Sequence, residues 1–89
     1  MEVPPREIIR EHEFDEQLHA LIPDVEAADE FTAAAEVLLA RHPADGTPAT
    51  ANESIWYLPM APVRGRRVSL FYSFDERAVY FLALLPYDD

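Results

Sequence analysis

Two runs of β-forming residues, 66–74 and 78–85, stand only Asp75-Glu76-Arg77 apart, and no other stretch of the chain constrains the fold as much. A polar connection of that length closes a hairpin, so the two runs lie antiparallel. Val68, Leu70, Tyr72 and Phe74 alternate with Ser69, Phe71 and Ser73, the period-two pattern of a strand with one face in a core. The second run is apolar on both faces and therefore belongs inside a sheet, with a neighbour on each side.

The remaining elements are read around that hairpin. Residues 6–13 carry the β-branched pair Ile8-Ile9 and end near Asp15, a good helix cap, which predicts a first strand. Phe14, Leu18, Leu21 and Ile22 recur at helical spacing and predict a short helix that Pro23 stops. Asp24 is placed to cap the next helix, over 25–41, whose stripe of Ala28, Phe31, Ala35, Leu38 and Leu39 is apolar. Acidic residues crowd its start and Arg41 and His42 close it, as the helix dipole favours.

Pro43-Ala44-Asp45-Gly46-Thr47-Pro48 reads as a loop, and 49–53 continues without periodicity, which makes this the segment expected to be most mobile. Residues 54–60 predict an aromatic strand whose Pro59 confines it to an edge or a strand end. A connector over 61–65 follows. The order is β-α-α-β-β-β, an α+β fold in which a helical hairpin packs on one face of a mainly antiparallel sheet. Eighty-nine residues suit a single domain over 1–89 with one core.

That order, in this length, resembles the RelE/ParE superfamily of small toxins of type II toxin-antitoxin systems. Phe14-Asp15-Glu16-Gln17-Leu18-His19-Ala20-Leu21-Ile22-Pro23-Asp24 is similar to the family's entry into its helical hairpin, and Leu38-Leu39-Ala40-Arg41-His42-Pro43 to its close. Gly65-Arg66-Arg67-Val68-Ser69-Leu70-Phe71-Tyr72-Ser73-Phe74-Asp75-Glu76, leading to Val79-Tyr80-Phe81-Leu82-Ala83-Leu84, resembles the family's central hairpin. The resemblance implies one of two activities. RelE-like members cut messenger RNA on the ribosome, with basic residues on a concave sheet face and a tyrosine or histidine near the C-terminus; ParE-like members poison DNA gyrase. Both imply a cognate antitoxin whose peptide wraps the toxin. Fold alone does not choose between them.

RNA cleavage needs an acid, a base and cations that stabilise charge on phosphorus. Arg67 falls where the resemblance expects an arginine after Gly65, Arg64 and Arg66 thicken the charge there, and Tyr87 stands where a proton-transfer tyrosine is expected. Arg67 and Tyr87 are thus the catalytic candidates. The same arginines serve equally well to pair carboxylates and keep a strand end hydrated. Tyr87 is followed by Asp88 and Asp89 where nuclease relatives tend to carry arginine, and two carboxylates there repel a phosphate.

His12, His19 and His42 fall in three different expected elements without metal-ligand spacing, and Gly46 and Gly65 alone cannot build a phosphate loop. No cofactor or metal is expected. With helices on one sheet face, Tyr57, Phe71 and Tyr80 are expected on the other, and an apolar open face commonly marks a partner site.

Seventeen acidic against seven basic residues give a formal charge of -10. Such a surface repels phosphate backbones and anionic lipid, so direct binding of free nucleic acid is not expected. The chain has no cysteine, in keeping with a reducing compartment. Its apolar runs are too short for a membrane helix, and Met1-Glu2-Val3-Pro4-Pro5 lacks the features of a signal peptide; the expectation is a cytoplasmic protein. Three functions stay open. One is a toxin, or a toxin descendant, acting through protein binding to an antitoxin and to gyrase; another is a ribosome-dependent endoribonuclease. The third is a non-toxic acidic interaction protein on the same fold.

Overall fold

The computed structural model describes residues 5–60, 62, 65 and 67–86. In chain order it forms β1 (Glu7–Arg10), α1 (His12–Leu21), α2 (Val25–Arg41), a 3-10 turn (Pro43–Asp45), β2 (Thr47–Pro48), β3 (Trp56–Pro59), β4 (Val68–Phe74) and β5 (Ala78–Pro86). Two helices pack on one face of a five-stranded sheet of order β1-β5-β4-β3-β2. Among the described residues only the β1–β5 pairing is parallel. The apolar last strand lies inside the sheet, between β1 and β4.

Local chemistry accounts for most boundaries. The Asp24 carboxylate accepts the Ala27 N–H at 3.1 Å and so caps α2. The Asp75 carboxylate accepts the N–H groups of Arg77 and Ala78, each at 2.8 Å, which closes the β4–β5 hairpin. At the first strand the structure corrects the expectation. β1 stops at Arg10, and α1 begins at His12 with Glu11 as its N-cap and no side-chain cap. The Glu11 N–H bonds the Phe81 carbonyl while its own carbonyl accepts from Asp15, so one residue ends the ladder and starts the helix. Asp15, expected as the cap, instead lies within the first turn and pairs with Arg10 at 2.6 Å.

A second correction concerns 43–48, expected as open loop. These residues fold into the 3-10 turn and β2, which pairs Thr47 with Tyr57 and Pro48 with Trp56. The next turn is held by Thr50, whose hydroxyl accepts from the N–H groups of Ser54 and Ile55 at 3.0 and 3.2 Å.

The core lies between helices and sheet. Phe14, Leu18 and Ile22 of the first helical stretch and Ala28, Phe31, Ala35 and Leu39 of α2 meet Val68, Leu70, Tyr72, Val79, Phe81 and Leu84. Phe14 and Phe81 stack edge to face, 5.2 Å between centroids, and burial of each such side chain stabilises by roughly 1.5–3 kcal/mol. Sheet edges are blunted by residues without an N–H: Pro48 in the outermost strand, Pro59 beyond the β2 pairing, Pro86 beyond the β1 pairing. Where β1 no longer reaches β5, the Gln17 side-chain oxygen accepts the Leu84 N–H at 2.7 Å.

Candidate functional site

Along β4 and β5, Leu70, Tyr72, Val79, Phe81 and Leu84 enter the core, with the phase of β5 shifted by one residue between Phe81 and Leu84 at the irregularity opposite Phe71 and Tyr72, and the residues that alternate with them turn to the opposite face. Tyr57 and Phe71 are cross-strand partners there, with ring centroids 5.9 Å apart and planes inclined by 31°. In the adjoining row Ile9, Tyr80 and Ser73 stand side by side across β1, β5 and β4. All five are partly exposed. Both helices lie on the other side, so no described helix covers this face.

Period two also divides the charges of the first strand. Ile8 packs against the core, and the arginines on either side of it turn the same way. Arg6 lies over the Phe74 ring at 5.9 Å and donates to the Asp75 carbonyl at 2.7 Å; Arg10 lies over Phe14 at 6.0 Å and pairs with Asp15. Glu7, Ile9 and Glu11 are left to the open face. The two glutamates stand close enough to Tyr80 to act on its hydroxyl, which donates to the Asp75 carboxylate at 3.2 Å. The negative charge of Asp75 is the first cause that raises the Tyr80 pKa above its ordinary value, followed by their hydrogen bond, with Glu7 and Glu11 adding to it. Asp75 itself is held below the usual carboxylate range, first by the Arg77 N–H, then by that of Ala78.

The expected site residues divide into those the fold gathers and those it separates. Tyr57 and Phe71 touch, and Tyr80 stands in the next row. Arg67 is exposed immediately before β4, at the opposite end of that strand from Ser73 and Tyr80. Arg64, Arg66 and Tyr87 lie outside the described residues. Glu7, Ile9, Glu11 and Asp75 were not among the candidates. A period-two reading of Arg6-Glu7-Ile8-Ile9-Arg10-Glu11 carries the signal for them, because it puts the two glutamates and one isoleucine on a single face.

The histidines also need correcting. His12 and His19 share α1, and His12 pairs with Glu16 at 2.8 Å. No group of metal-ligating side chains forms among the described residues. A groove of about 410 Å³ runs between β1 and the end of α2, with Ile8, Val37 and Ala40 beside Arg6, Glu36 and Arg41. Among the described residues no helix is long and apolar enough to cross a membrane. In comparisons with family models, curated proteins and solved structures, the chain matches none.

Proposed function

We propose that this protein is a RelE/ParE-like toxin, or a descendant of one, of a type II toxin-antitoxin pair, and that it acts by binding protein: the open sheet face receives a segment of the cognate antitoxin. The observation that carries this reading is the make-up of that face. Tyr57, Phe71, Tyr80 and Ile9, each partly exposed, give it apolar area that no described helix covers, and Asp75, Glu7 and Glu11 stand about the Tyr80 hydroxyl. Apolar area in the open suits another polypeptide. Carboxylates repel a scissile phosphate, so the face favours protein binding over RNA cleavage.

The ribonuclease alternative rests on Arg67 with Tyr87, and the target, ribosome or DNA gyrase, follows from which activity is present. The test is expression of the chain with and without the short reading frame beside its gene. Growth arrest that the neighbouring frame relieves is the expected result. Unimpaired growth of the strain that expresses the chain alone removes the toxin reading and leaves the acidic interaction protein. Under arrest, Arg67→Ala separates the activities: arrest that persists with intact messenger RNA excludes the nuclease, while arrest lost together with message cleavage establishes it.

A further inference from the structure

We infer that the partner segment seated on the open face is basic, with lysines or arginines alternating with apolar side chains, and that Glu7, Glu11 and Asp75 select it. The inference rests on the protein-binding reading above and adds the chemistry of the partner. Its ground is the segregation of charge on β1. Arg6 and Arg10 are committed to the helix side by their contacts with Phe74 and Phe14 and by the Arg10–Asp15 pair. Glu7 and Glu11 thereby face the same side as Ile9 and Tyr80, and Asp75 joins them through the Tyr80 hydroxyl. Arg77 acts on the Asp75 carboxylate less than the backbone N–H groups and the Tyr80 hydroxyl do, Arg6 meets Asp75 at its backbone carbonyl, and Arg67 stands at the far end of β4.

The face therefore runs from an aromatic pair on β3 and β4 to carboxylates on β1. Three strand spacings separate those strands, roughly 14 Å, which about four extended residues span. A segment of that length places an apolar side chain on Tyr57 and Phe71 at one end and a cation beside Glu7 or Glu11, about 13 Å apart along the extended chain, at the other. Competing occupants meet the wrong charge. Nucleic acid and anionic lipid are repelled by the carboxylates, and a second copy brings the same acids and the same formal charge of -10.

The probe is a labelled synthetic peptide that alternates lysine with leucine, beside a counterpart that alternates glutamate with leucine, titrated against the full chain. Binding of the lysine peptide alone, with amide shifts at Tyr57, Phe71 and Tyr80, is expected. Glu7→Lys with Glu11→Lys should weaken it by about tenfold or more. Glu13→Lys with Glu16→Lys, on the exposed side of α1 and equal in net charge, should change it by less than about twofold at physiological salt.

Equal losses in the two charge-reversed variants overturn the inference, because net charge alone then explains binding. If Tyr57→Ala with Phe71→Ala abolishes binding and the β1 reversal does not, the docking face stands and the basic partner falls. If neither pair matters, both readings fall. Amide shifts on the unaltered chain that map elsewhere overturn it without any variant, as does a dimer in sedimentation that buries these residues.

Discussion

Tyr72 shows how much of this fold a single hydroxyl can organise. Its ring is fully buried on β4, and its oxygen donates to the Pro43 carbonyl at 2.6 Å while accepting the Gly46 N–H at 3.1 Å. Both partners belong to the segment between α2 and β3, so the contact draws the 3-10 turn and β2 against the sheet. Tyr72→Phe strands the two backbone groups and is expected to cost about 1–3 kcal/mol, measured as a lower urea midpoint at unchanged slope. Gly46 has an ordinary extended backbone, so space rather than conformation requires glycine there. A Cβ would overlap the Tyr72 hydroxyl and lie 2.7 Å from the Tyr57 carbonyl oxygen. Gly46→Ala is expected to cost about 1–3 kcal/mol. The cost should shrink in the Tyr72→Phe background, where half of the collision is gone; strict additivity of the two costs would show that the hydroxyl is not the obstacle.

At the scale of elements, what the sequence makes legible is what local rules decide. The β4–β5 hairpin, the buried position of β5 and the span of α2 follow from alternation, from helical spacing and from Asp24, whose capping bond is present at 3.1 Å. Asp24→Ala is expected to lower stability by about 1 kcal/mol and to fray the first turn of α2, visible as faster amide exchange at Ala27. The start of α1 and the existence of β2 are not legible, because distant groups set them: the Phe81 carbonyl fixes Glu11, and Tyr57 and Tyr72 fix 46–48.

The same division holds for the candidate site. Alternation suffices to put Tyr57, Phe71 and Tyr80 between neighbours that pack toward the core, but the side that Glu7 and Glu11 take depends on which face of β1 the helices cover. The hairpin turn offers a pH test. Asp75 has a depressed pKa because two backbone N–H groups bond its charged form, so its contribution is present above the ordinary carboxylate pKa and lost as pH falls through the lower folded value. Asp75→Ala is expected to lower the melting temperature at pH 7 and to leave less further loss on acidification than the unaltered chain shows.

Over the whole molecule, charge is the least balanced quantity. Seventeen carboxylates face seven arginines, and two of those cations, Arg6 and Arg10, are turned to the helix side of the sheet over aromatic rings. The open face keeps Glu7, Glu11 and Asp75 about Tyr80, while the arginines of the first-strand segment turn to the other side. Repulsion of this kind opposes the compact state and is screened by salt, with a Debye length of about 10 Å at 0.1 M.

The melting temperature at pH 7 is therefore expected to rise between low and moderate sodium chloride, a salt chosen because sulfate also strengthens apolar burial. If the open face contributes its share, Glu7→Gln with Glu11→Gln should raise the melting temperature at low salt and flatten the response. Calorimetry across the salt series decides it. A flat response in the unaltered chain would mean that its carboxylates are locally compensated. A rise that the double substitution leaves untouched would place the repulsion on the helices, where Glu13, Glu16, Glu26, Asp29 and Glu30 are exposed, and would remove the energetic reason for a cation to settle on the sheet.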